Sequence, residues 1–134
     1  MISQRLALWA LAYGLFIWLE ATLIIRFAGD LIFVPESMAW TIGGFVVTAV
    51  LAFAIGWFFF ATFQTPPAAR AAAASFICAI GLIADAFVFI WIDTVFPQMT
   101  AEQQRLFACW VAWAYGVGLI SGLWPKTLMR VPAV

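Results

Sequence analysis

Four long apolar stretches separated by short polar breaks make up nearly the whole chain, and each exceeds the length that the core of a soluble domain requires. They run over about residues 3–29, 40–63, 66–95 and 101–124. Gly29 and Asp30 mark the end of the first. Pro35 and Glu36 then mark a loop whose apolar residues 31–34 suit the membrane interface. Thr65-Pro66-Pro67 predicts the start of the third segment: Thr can accept from free backbone N–H groups, and Pro fits a first helical turn. Pro97 ends it, and Thr100 followed by Gln103 forms a capping-box pattern that opens the fourth, which Pro125 stops. Connections of about 10, 4 and 5 residues favour sequential helices lying antiparallel as neighbours. The expected fold is therefore all-α: an integral membrane four-helix up-down-up-down bundle, with residues 1–134 as a single transmembrane domain.

Composition agrees, with 67% hydrophobic and 9% charged residues among 134. Six basic and six acidic residues cancel, so net charge implies neither a nucleic-acid partner nor an anionic membrane surface; it is the apolar runs that name the lipid bilayer as surroundings. The chain lacks His, which removes the commonest metal and haem ligand, and neither a metal nor another cofactor is expected. Cys78 and Cys109 fall in different segments, too far apart to bridge, and no CxxC pair supports thiol redox chemistry. Residues 6–25 form an apolar run too long for a signal peptide, so the N-terminal segment reads as a span. Arg5, Arg70, Lys126 and Arg130 fall on one side, against Arg26 and Arg105 near the other, which predicts cytoplasmic termini.

Helices in lipid associate through small residues. Gly44, Thr48, Ala52 and Gly56 recur every four residues in the second segment; Ala71, Ser75 and Ala79 do so in the third, and Gly118 and Gly122 lie in the fourth. These predict packing seams within one bundle or, alternatively, a homodimer contact. Trp9, Trp40, Trp57, Trp110 and Trp124 lie near predicted helix ends, as an interfacial belt requires. Trp18, Trp91 and Trp113 sit deeper or less definitely and read equally well as aromatic core or as packing against pigments, quinones or lipid tails.

Two acids stand out. Glu20 and Asp85 lie within apolar segments, each fifteen residues beyond an arginine, Arg5 and Arg70. An ionisable group at the bilayer centre costs roughly 2.5–3.5 kcal/mol even on lenient scales, so it normally turns inward to a partner. Arg26 lies about 240° around an ideal helix from Glu20, whereas Asp30 follows it at i+4; an outer Arg26–Asp30 ion pair is the economical expectation. Tyr13 is nearly eclipsed with Glu20, Cys78, Gly81 and Asp85 form one stripe, and Tyr115 lies at about the depth of Tyr13. A buried cluster of Glu20, Asp85, Tyr13 and Tyr115 is thus geometrically possible. It would lock the helices, exchange a proton for a cation or cationic substrate, or serve to dock a larger complex. Without His, and with no Ser–Lys pair inside a span, no catalytic residue is assigned and no enzyme is expected.

The stretches at 6–29 (LALWALAYGLFIWLEATLIIRFAG), 85–98 (DAFVFIWIDTVFPQ) and 107–123 (FACWVAWAYGVGLISGL) resemble a group of small bacterial four-helix membrane proteins of unknown function. That resemblance implies a bacterial inner-membrane location and the same helix count, and it carries no site across. The leading expectation is a non-catalytic structural or accessory subunit of a larger bacterial inner-membrane assembly. The alternative is a small proton-coupled transporter or exporter using Glu20 and Asp85.

Overall fold

The computed structural model describes residues 2–123, so the predicted stop at Trp124 and Pro125 and the basic residues Lys126 and Arg130 lie outside the described residues. Four long helices are present: α1 (Gln4–Ile32), α2 (Met38–Thr62), α3 (Pro67–Ile90) and, after a one-turn helix α4 (Ile92–Val95), α5 (Ala101–Leu123). All four long helices are apolar enough to cross a membrane. The protein is an all-α multi-pass membrane bundle whose chain alternates direction from span to span.

Local chemistry sets the helix ends. Ser3 and Ser37 accept from Leu6 N and Trp40 N at 3.2 and 3.3 Å, while Thr100 and Gln103 satisfy each other's backbone N–H at 2.9 and 3.3 Å, as the capping box requires. Thr65 behaves differently from expectation. Pro66 occupies the cap of α3, and the Thr65 hydroxyl is buried without a partner. Gly29 does not stop α1 either. It is a packing residue, because a Cβ there would come within 2.8 Å of Met99 Sδ, and the helix continues to Ile32, with Phe33 buried beyond it. At its other end α3 stops at Ile90, short of the predicted 95, where Trp91 breaks the backbone pattern.

Sequential spans are not all the neighbours that short links predict: of the consecutive pairs only α3 and α5 form a tight seam. α1 lies on α3, α3 on α5 and α5 on α2, while α1 and α2 hardly touch. Small residues explain the order. Gly14 brings α1 onto the backbone of Ile77, and Gly122 brings α5 against Ala74 and the Arg70 carbonyl. Gly56 admits Ser121, and Gly118 sits on Cys78. Two other candidate packing sites fail. Gly44 is exposed, and a Cβ there would meet nothing within 4 Å; Ser75 and Ala79 are exposed too, the inward stripe of α3 being Ala69, Ala73, Ala74, Cys78 and Gly81.

Side-chain donors pin the C-terminal end of α1. Gln98 Nε2 donates to Ile25 O and Arg26 O at 3.0 and 2.6 Å, Gln103 Nε2 to Asp30 O and Phe33 O at 3.1 and 2.9 Å, and Trp40 Nε1 to Ile32 O at 2.8 Å. Arg26 donates to the Thr94 and Val95 carbonyls. It makes no ion pair with Asp30, because the unpaired carbonyls at the end of α4 lie across the bundle within its reach. Gln103→Leu removes its side chain's half of the capping box, the bond from Thr100 N, together with these bonds to α1. It should cost about 1 kcal/mol in reversible detergent unfolding, and an unchanged midpoint would show the pin to be idle.

Candidate functional site

The site begins with a glycine. On α3, Ala74, Cys78, Gly81 and Asp85 share one buried stripe, and the ring of Tyr115 from α5 lies directly over Gly81, where a Cβ would stand 3.0 Å from both Cε1 and Cζ. One turn further on, the Tyr115 hydroxyl donates to Asp85 Oδ2 at 2.8 Å. From the opposite side, Gly14 lets α1 approach α3 closely enough for Trp18 Nε1, one turn later, to donate to Asp85 Oδ1 at 2.9 Å. Asp85 is 6% exposed, with each carboxylate oxygen held by a neutral donor from a different helix.

α1 and α2 meet near one end through Trp9 with Phe63 and Tyr13 with Phe59, and near the other through Trp40 on Ile32 O. Between these contacts they part. The gap leads into a cavity of about 500 Å3 floored by α3 and α5. Its walls are mainly apolar, and its charged lining residues among those described are Asp85 inside and Glu20, which is exposed on the α1 side of the opening. Exposed Ile24, Val47 and Leu51 complete the mouth, so the cavity faces the hydrocarbon of the bilayer. Opposite Trp18, Trp110 Nε1 donates to the Thr48 hydroxyl at 2.5 Å, and that hydroxyl donates to Gly44 O at 2.8 Å.

Asp85 and Tyr115 therefore meet as the sequence suggests, and Glu20 opens on the same cavity without a hydrogen bond among the described residues. Tyr13 does not join them. Its hydroxyl donates to Ile55 O at 3.1 Å and ties α1 to α2. Two tryptophans carry more of the site than their apolar character implies. Trp18 holds Asp85, and Trp110 is a half-buried wall residue, not an interfacial anchor. The available signal was the indole N–H itself, which in hydrocarbon needs an acceptor, and few side chains at those depths can provide one.

Among the described residues no group of three His, Cys, Asp or Glu converges to hold a metal ion. Cys78 faces the Tyr115 carbonyl at 3.8 Å, and Cys109 is exposed, so the two thiols stand apart.

A family of unknown function, DUF5367, matches residues 32–128. The chain belongs to that family. The part shared with DUF5367 includes Asp85, Tyr115 and Trp110, while Trp18 and Glu20 precede it. No curated protein and no solved structure matches the chain.

Proposed function

We propose that this protein is a small, non-catalytic carrier of the bacterial inner membrane, with both termini cytoplasmic, that exchanges protons for a cation at Asp85 and Glu20. The observation that supports this reading is that both membrane-embedded acids open on one cavity instead of turning apart onto lipid. A lone carboxylate in a low-dielectric space attracts either a proton or a cation strongly, and competition between the two is the minimal basis of coupling. Orientation rests on the sequence, in which Arg5, Arg70, Lys126 and Arg130 fall on one side against Arg26 and Arg105 near the other.

One observation favours a second reading, that of an accessory subunit. Glu20 is exposed at the mouth with no partner among the described residues, so a donor from a neighbouring protein or a second copy would satisfy it. Pyranine-loaded proteoliposomes separate the two. With an acidic interior, cations drawn from an inorganic and organic panel should release protons through the wild type, and Glu20→Gln or Asp85→Asn should slow this at least tenfold. If both variants match the wild type, the carrier reading is lost; recovery from native membranes inside a larger assembly would then favour the subunit.

A further inference from the structure

We infer that the cation taken by this cavity is an amphipathic organic one, a hydrophobic ammonium or phosphonium that enters sideways from the bilayer between α1 and α2. The inference rests on the carrier reading for its site and adds the chemical class of the ligand.

Three features select that class. The first is charge: the cavity's charged lining residues among those described, Glu20 and Asp85, are both acidic, and the nearest long cationic side chain on α1, Arg26, is committed to the Thr94 and Val95 carbonyls. The second is coordination. A dehydrated inorganic cation asks for about six oxygen ligands. Here both Asp85 oxygens already receive Trp18 and Tyr115, the Thr48 hydroxyl is engaged with Trp110 and Gly44, and Ser121 donates to Gly118 O at 2.6 Å. Glu20, Thr22 and Thr41 add further oxygens to the lining, but no three His, Cys, Asp or Glu converge among the described residues, so the site offers charge without a metal cage. A diffuse organic cation asks only for charge, apolar contact and aromatic faces, which Trp18 and Trp110 supply.

The third feature is size and access. About 500 Å3 is the volume of a typical small-molecule pocket, roughly 300–1,000 Å3, and far more than a metal ion fills. Because the opening is rimmed by exposed Ile24, Val47 and Leu51, a ligand already dissolved in the hydrocarbon reaches Asp85 without crossing water. Glu20 is placed to meet the cationic head at the mouth before Asp85 meets it inside.

The test compares tetraphenylphosphonium with tetraphenylborate, ions of matched shape and opposite charge, by equilibrium dialysis and tryptophan fluorescence on the intact protein in dodecyl maltoside. Tetraphenylphosphonium should bind saturably, one per chain, while tetraphenylborate binds at least tenfold more weakly. Asp85→Asn should weaken the cation at least tenfold. So should Gly44→Phe, which leaves the carboxylate alone and projects from a glycine with open space around it at the mouth. Equal binding of the two ions by the wild type overturns the inference whatever the variants do, as does undiminished cation binding in both variants. The two readings fail separately. Proton exchange driven by sodium or potassium without tetraphenylphosphonium binding sinks this inference and spares the carrier; selective, Asp85-dependent binding without proton exchange sustains the inference and sinks the carrier.

Discussion

Gly122→Val should loosen the α3–α5 seam and lower unfolding stability by about 3 kcal/mol, at the upper end of overpacking penalties. The first added carbon would stand 2.6 Å from Ala74 Cβ and 2.8 Å from the Arg70 carbonyl oxygen, so backbone, not a flexible side-chain tip, must move. Gly14→Val should do comparable damage between α1 and α3, where a Cβ would approach Ile77 Cα to 2.9 Å. Gly44→Val is the control: with nothing within 4 Å of its Cβ, it should shift stability by less than about 0.5 kcal/mol. Reversible unfolding in mixed micelles, followed by tryptophan fluorescence, measures all three. Equal effects at Gly44 and Gly122 would show that the seams are drawn in the wrong place.

Asp85→Ala should be the most damaging single change to the candidate site, at about 3 kcal/mol. It leaves the Trp18 indole N–H and the Tyr115 hydroxyl without their acceptor, and each stranded donor costs about 1–3 kcal/mol when buried. Asp85→Asn keeps a carbonyl oxygen for one donor but turns an NH2 group toward the other, so it should lose about 1–2 kcal/mol. Tyr115→Phe keeps the ring over Gly81 and falls between them. The same micelle unfolding gives the order, and the Trp18 indole proton resonance should move in every Asp85 variant. An alanine variant as stable as the wild type would mean that the two donors find other acceptors.

The helix count, the capping box at Thr100 and the Cys78–Gly81–Asp85 stripe were all legible because they follow from local periodicity, which a membrane helix preserves. Tyr115 was also legible, since depth can be counted along a helix of known start. Rotation of one helix against another could not be counted. Tyr13 and Glu20 share a face of α1, yet that face spans the gap, so Tyr13 turns to α2 at its closed end while Glu20 stands at the open part. The four-residue stripe on α2 misled for a related reason: all of it borders the cavity, but Thr48 and Gly56 also reach α5, whereas a Cβ at Gly44 would meet nothing within 4 Å. Arg26 illustrates a different limit. An i+4 acid is visible in sequence, but the bare carbonyls of α4, almost seventy positions on, are not.

The three-helix grip on Asp85 also constrains how the protein is made. Its two donors come from α1, made before α3, and from α5, made after it. While the ribosome is still extending the chain beyond α3, the carboxyl has at most the indole for company, and the Tyr115 hydroxyl arrives only with α5. Membrane insertion of α3 is therefore provisional until α5 has followed it, and a nascent chain that stalls before α5 carries an acid in lipid with half its bonds missing, a mark that membrane quality-control proteases are suited to read.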